Sequence, residues 1–371
     1  MKKFLLYGVL TSILALGFAS CSNDDDTDPR FEEKTGSVYI LNSGKHGDNN
    51  SNLGIYNPET KEYSKNIFKG QNNMLLGGTA NDMVVYGSKM YIAVTTSNKI
   101  YITDLKGKLQ TYSDGSDVIL DPKNDKDEPA EPRFATAYDG KVYVSTKAGY
   151  VLRIDTTSMQ IDAKVKVGSY PEQMTAINNT LYVPNSGYGD GNTVSIVNLS
   201  GFTVSSTLDV TQNPSYTTTD NSGNVYILSL GKTWGGSNVK SQIQVYNPSS
   251  KSLSVVGTDI ASKMVMSKDK NKLFLLKEIW GEEGAAHKIV YYDINSKILV
   301  DKEYFKLPES MKGGLDKAFS MSVDPISGDV YISTSDYTNN GDMYIFSADG
   351  TFKDKFDTAG INPVGAYFPI R

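Results

Sequence analysis

The stretch that decides the fold is Lys141-Val142-Tyr143-Val144, followed after a short loop by Val151-Leu152-Arg153-Ile154-Asp155. Both pieces are short, rich in β-branched and aromatic residues, and bounded by turn formers: Asp139-Gly140 before the first, Asp155 at the end of the second. Asn and Asp bond their own backbone and tolerate turn geometry, so they end a strand cleanly. The pair reads as two adjacent antiparallel strands.

The same pair recurs along the chain. The apolar-aromatic strand appears as Val38-Tyr39-Ile40, Met90-Tyr91-Ile92, Val142-Tyr143-Val144, Leu181-Tyr182-Val183, Val225-Tyr226-Ile227, Leu273-Phe274-Leu275 and Val330-Tyr331-Ile332. Its aromatic positions are separated by 52, 52, 39, 44, 48 and 57 residues, one small sheet each time. The second strand follows each one, as in Ile55-Tyr56-Asn57, Val197-Asn198, Val245-Tyr246-Asn247 and Tyr292-Asp293, with Phe346-Ser347 as the seventh ending. A third strand comes after the turn, for instance Thr203 to Leu208. Another short strand precedes every unit but the first, for instance Met83 to Tyr86 and Phe134 to Tyr138. Repetition with this period marks a solenoid, an array or a propeller, and four strands per unit mark a propeller blade.

Unit one lacks its leading strand, whereas Asn362 to Phe368 has the pattern of a leading strand with no unit after it. The expectation is therefore an all-β, seven-bladed β-propeller over residues 35–371, closed by pairing the C-terminal strand with the first blade. Closure removes the open edge that invites aggregation. No long stretch shows a sustained helical period with caps.

Ahead of the repeat, Met1-Lys2-Lys3, an apolar run from Phe4 to Phe18 and Ala19-Ser20-Cys21 predict a signal peptide over residues 1–20. The run is shorter than the roughly 20 apolar residues that a spanning helix needs. The Phe-Ala-Ser-Cys ending resembles the bacterial lipobox, which predicts lipidation of Cys21, the sole cysteine. Residues 21–34, with Asn23-Asp24-Asp25-Asp26, read as an acidic solvated tether. With no second cysteine there is no disulfide, so the fold rests on a large core. The formal charge of -5, which loses the two cations Lys2 and Lys3 with the signal and becomes -7, and the lack of a Lys/Arg cluster argue against nucleic acid as partner.

Turns such as Gly87-Ser88, Asp139-Gly140 and Asn178-Asn179 are minimal, and they all fall on one face of the ring. Loops on the other face are long and uneven, including Asn42 to Asn52, Asp114 to Arg133, Asn185 to Asn192, Ser229 to Ser241, Lys277 to His287 and Ser333 to Asp342. Length beyond what closure requires is where function is grafted onto a scaffold. The long-loop face holds His46, Arg133, Tyr170, Tyr188, Tyr216, Trp234, Trp280 and Tyr337, which are the candidate ligand-binding residues. Trp, Tyr and Arg give large contact area at small entropy cost.

Catalytic motifs are missing: there is no Gly-x-Ser-x-Gly turn, no HExxH and no phosphate-cradling Gly loop. The loop Gly187 to Asn192 lacks the alternating acidic ligands of a calcium site. No enzyme, metal or cofactor is expected, although a pair of carboxylates acting on sugar is invisible at this level.

The blade motif repeated behind a lipobox and an acidic Ser22-Asn23-Asp24-Asp25-Asp26 segment resembles the YncE-like propeller lipoproteins of Bacteroidetes, and among them the BtuG-type lipoproteins that capture cobalamin. This resemblance implies a location on the outer membrane facing the exterior, a corrinoid as ligand and a TonB-dependent transporter as partner. The same aromatic face suits a glycan, which is the alternative ligand, with a carbohydrate lyase or hydrolase as the third reading.

Overall fold

A computed structural model of the chain describes residues 36–279 and 286–370. The signal, Cys21, the tether and Trp280 lie outside the described residues. Among the described residues strands and turns dominate, and the longest helical piece is the single turn and a half Ile67–Asn72.

Seven antiparallel sheets form a ring of seven blades. Numbered from the N-terminus, blade 3 shows the plan: inner strand Pro132–Tyr138, then Lys141–Thr146, Tyr150–Asp155 and outer strand Ile161–Lys166. Blade 1 takes its inner strand from the far end of the chain. Pro363–Tyr367 pairs with Val38–Asn42, Tyr367 opposite Tyr39 and Ala366 opposite Ile40, as the unmatched pattern at Asn362 to Phe368 predicts. The chain then runs on to blade 2, where Pro369–Ile370 lies parallel to Val85 and Tyr86, a contact the sequence does not announce. Blade 2 departs from the plan in another way. Its outer strand is only Ile119–Leu120, and the segment beyond it folds through single bridges such as Lys123 to Pro129.

Burial explains the repeated motif. In the second strand of each blade, side chains alternate between the two neighbouring blades, because successive residues of a strand point to opposite faces. Val142 and Val144 pack toward blade 2 with Tyr91 and Ile102, whereas Tyr143 packs toward blade 4 with Leu181 and Phe202. Seven hydrophobic clusters result, one at each blade-to-blade interface, and the cluster of Ile40, Tyr331, Met343 and Phe368 seals blade 7 against blade 1. Each strand is buried on both faces, which is why it reads as a continuous apolar run. The motif tyrosines keep their hydroxyls inside. Tyr39 donates to Leu105 O at 2.9 Å, and burial pushes its hydroxyl up to about 12.

Candidate functional site

Inner strands line the axis of the ring, and their first residues do not follow a regular ladder. Register slips between Ala80 and Asp82, Pro132 and Ala135, Pro214 and Tyr216, and Ala318 and Ser320. A bulge leaves a residue unpaired and re-aims its side chain. Asn81, Arg133, Phe134, Ser215 and Phe319 sit in these slips, and each lines a cavity at the long-loop mouth of the ring.

Two cavities meet there. An off-axis lobe of about 330 Å³ lies over blades 3, 4 and 5, lined by Tyr170, Glu172, Ser186, Tyr188, Asn213 and Trp234. An axial lobe of about 270 Å³ is lined by Asp82, Lys263, Met264, Phe319, Val364 and Tyr367. Arg133, Phe134 and Tyr216 belong to both lobes and form the wall between them. A further hollow of about 310 Å³ lies at the outer margin of blades 6 and 7, between Lys288–Val290 and Asp301–Phe305. The inner pair is the better candidate, because charged and aromatic side chains from several blades converge on it.

Charge in the off-axis lobe is tightly arranged. Glu172 is only 8% exposed. One carboxylate oxygen accepts from Arg133 Nη2 at 2.5 Å and the other from Ser186 Oγ at 2.8 Å. Burial pushes the Glu172 carboxyl up, and the guanidinium and Ser186 pull it partly back. The Arg133 guanidinium stands 5.3 Å from the Phe134 ring centre. On the axial side Lys263 donates to Phe319 O at 2.5 Å, stands 4.0 Å over the Phe319 ring and lies 3.6 Å from Glu278. Burial lowers the Lys263 ammonium, with Glu278 opposing. Asp82 accepts from the Tyr367 hydroxyl at 2.7 Å and from Ala135 N at 2.9 Å, and burial raises its carboxyl to about 6. Burial likewise raises the Tyr216 hydroxyl.

The rim of the off-axis lobe is aromatic. Tyr188 is 75% exposed and Trp234 53% exposed, and the Tyr170 and Tyr188 rings lie 5.3 Å apart. Gly189, with φ of 99°, permits this arrangement: a Cβ there would stand 2.6 Å from Trp234 Cζ2. Lys232 caps the Trp234 ring at 5.8 Å and pairs with Asp190 at 2.5 Å. Among the described residues four aromatics adopt positive φ, and Tyr170, Tyr188 and Tyr337 are three of them. Such a backbone costs roughly 1–3 kcal/mol per residue and persists where surrounding structure imposes it, commonly at binding sites. At Tyr188 the imposing contact is Ser186 Oγ, which accepts from Tyr188 N at 3.3 Å.

Of the residues singled out from sequence, Arg133, Tyr170, Tyr188, Tyr216 and Trp234 line the off-axis lobe together. Tyr337 stands back from both lobes but packs edge-on, at 5.6 Å, against Phe319 of the axial lobe. His46 is exposed on the loop after Val38–Asn42 and lines neither lobe; a short polar loop with Gly44 and Gly47 at positive φ turns it to solvent.

Asp82, Glu172, Lys263 and Phe319 line the lobes without having been named as candidates, although Asp82 and Phe319 end the long inter-blade stretches Lys69 to Asp82 and Lys306 to Phe319. A weak signal for them exists, a Pro or Ala at the start of the inner strand or up to four residues before it, followed by two variable residues: Ala80-Asn81-Asp82, Pro132-Arg133-Phe134, Pro171-Glu172-Gln173, Pro214-Ser215-Tyr216, Ala261-Ser262-Lys263, Ala318-Phe319-Ser320 and Pro363-Val364-Gly365. In every blade at least one of the two variable residues faces a lobe.

Among the described residues no group of three or more His, Cys, Asp or Glu is placed to hold a metal ion, and no helix is long and apolar enough to cross a membrane.

No protein-family model and no curated protein matches the chain. Solved structures do. A Bacteroides uniformis protein provisionally named a 6-phosphogluconolactonase superposes with a TM-score of 0.60 at 11% identity, over 90% of this chain and 99% of that one. A Bacteroides fragilis protein of the same provisional name gives 0.59 at 10% identity, over 90% and 98%. Hydrazine synthase from Kuenenia stuttgartiensis gives 0.57 at 12% identity, over 73% and 77%. These neighbours differ widely in what they are named for, and at such identities they carry the fold alone: the chain is a seven-bladed β-propeller.

Proposed function

We propose that this protein is a lipid-anchored binding protein of the outer cell surface that captures a small-molecule nutrient at the long-loop mouth of its propeller. The ligand we infer is cobalamin or another corrinoid, passed on to a TonB-dependent outer-membrane transporter. The observation that supports capture is the convergence of Arg133, Tyr170, Tyr188, Tyr216 and Trp234 on one concave site that joins the axial lobe. Concave, mostly apolar walls with a few fixed polar groups are the usual form of a small-molecule site.

Within the off-axis lobe binding is favoured over catalysis, because Glu172, the one carboxylate lining it among the described residues, is engaged on both oxygens by Arg133 and Ser186. The corrinoid, the transporter and the outer-membrane location rest on the family resemblance of the blade repeat, the lipobox and the acidic tether. A broad, flat, amide-fringed ligand would rest on the aromatic rim and send one arm into a lobe. The exposed rings of Tyr188 and Trp234 favour a second reading, a glycan stacked on the rim.

Calorimetry with cyanocobalamin and a panel of oligosaccharides separates the two. Heat with cyanocobalamin that is lost in Tyr188→Ala and Trp234→Ala is the expected result. No heat with any corrinoid removes the first reading, and saturable heat with an oligosaccharide puts the second in its place.

A further inference from the structure

Among the described residues five charged groups surround the joined lobes, and four of them are matched in pairs. Arg133 pairs with Glu172 at 2.5 Å and Lys263 with Glu278 at 3.6 Å. Asp82 is the fifth. Its oxygens face only neutral donors, the Tyr367 hydroxyl, Ala135 N and the backbone N–H of Met83, and among the described residues no cation stands within 4.0 Å of it.

Among the described residues three carboxylates stand against two cations, and the one without a cation is Asp82. A carboxylate has about four acceptor positions on its two oxygens, so these neutral donors do not exhaust it, and Asp82 lines the axial lobe. The bulge at Ala80 to Asp82 directs the chain so that both Asn81 and Asp82 border the axial lobe. Leaving a desolvated carboxylate without a cation is costly, and the raised carboxyl of Asp82, at about 6, is the signature of that cost. A ligand that brings the missing positive charge removes it.

We propose that the axial lobe is a subsite for an organic ammonium group, a protonated primary amine, with Asp82 as its counter-charge and the Tyr216 and Tyr367 rings as its walls. The faces of Phe134 and Phe319 are already taken by Arg133 and Lys263, so the two tyrosines are the aromatic surfaces left for an incoming cation. An anion is disfavoured, because both cations of the lobe are engaged with their own carboxylates. The subsite does not depend on the corrinoid reading: it shares Tyr216 with the proposed capture site, but Asp82 and Tyr367 line the axial lobe alone and the rim residues Tyr188 and Trp234 take no part in it.

n-Butylammonium, butyramide and butyrate, matched in size, are the probes, titrated into the full chain by ligand-observed NMR. Butylammonium is expected to bind at least about tenfold tighter than the other two, the margin of a charge-assisted over a neutral contact. Asp82→Asn should lower butylammonium affinity about tenfold without lowering the melting temperature. Its amide keeps the shape, with Oδ1 accepting from Ala135 N and Nδ2 donating to the Tyr367 oxygen. Affinity should also fall between pH 7.5 and pH 5 as Asp82 takes up a proton. The titratable groups facing Asp82 are Arg133, Lys263, Glu172, Glu278, Tyr216 and Tyr367, and Glu172 is the other one whose carboxyl burial raises. Glu172→Gln should therefore retain the pH dependence. Equal binding of butyramide, unchanged affinity in Asp82→Asn, or a pH dependence that disappears in Glu172→Gln would each overturn the proposal. Cyanocobalamin titrated into Asp82→Asn reports on the rim separately.

Discussion

Removing the guanidinium of Arg133 is the sharpest test of how the site is held. In Arg133→Met the alkyl stem is replaced at similar volume, but Glu172 keeps Ser186 Oγ as its only charge-stabilising side-chain contact. Breaking a buried ion pair from one side costs about 3–5 kcal/mol, because it strands the other charge. The Arg133 side chain is 22% exposed and that of Glu172 10%, so solvent screens part of the loss and the low end, about 3 kcal/mol, applies. An unfolding entropy of about 2.1 cal/mol/K per residue gives roughly 0.7 kcal/mol/K for a body of about 330 residues, so the melting temperature should fall by about 4 °C at pH 7.5.

The pH dependence has a definite sign. Burial already raises the folded-state carboxyl of Glu172, so its contribution to stability is complete at low pH and is lost as pH rises through the raised value. Without Arg133 the raising is greater, and the variant should close the gap to wild type on acidification toward pH 4. The double variant Arg133→Met/Glu172→Met, in which no charge is stranded, should recover most of the loss. Calorimetric melts of the four proteins at pH 7.5 and pH 4 measure the cycle. A single variant within 1 °C of wild type at pH 7.5, or a double variant no better than the single, would refute the account of Glu172 as a desolvated, paired charge.

Gly189→Ala should displace Trp234, since its Cβ would stand 2.6 Å from Cζ2 at a φ of 99°, and should cost about 1–2 kcal/mol. In a Trp280→Phe background the emission of Trp234 should shift, and an unchanged spectrum would show that the rim yields freely. A chain ended at Gly360 loses the inner strand of blade 1 and bares the edge of Val38–Asn42; it should aggregate, and a soluble monomer with the native far-UV spectrum would contradict ring closure. Asp82→Asn should melt above wild type at pH 7.5. The folded carboxyl near pH 6 lies above its ordinary value of 3.8, so wild type loses up to about 3 kcal/mol as pH rises through that window. Melts that run parallel for the two proteins from pH 4 to pH 7.5 would remove that assignment.

The fold was legible because its signal is repeated and short-range. Val142, Tyr143 and Val144 announce a strand buried on both faces, and seven such strands announce seven interfaces. Loop length picks out Arg133, Tyr170, Tyr188, Tyr216 and Trp234, and the structure places these five around one cavity. His46, on a loop of the same face, has its side chain turned to solvent, and Asp82 and Lys263 carry no aromatic or guanidinium signal that would mark them, although like Arg133 and Tyr216 they lie on inner strands.

Sequence alone determined the strands, their number and the way the chain closes on itself, because strand propensity, turn chemistry and apolar alternation act between residues close along the chain. Tertiary structure decided the site. Asp82, Arg133, Glu172 and Lys263 are separated by between 39 and 91 residues in sequence, and only the ring brings them to one axis, where burial and the choice of ion partner follow from distances in space. Which carboxylate is matched and which is left for a ligand depends on those distances, and no local pattern encodes them.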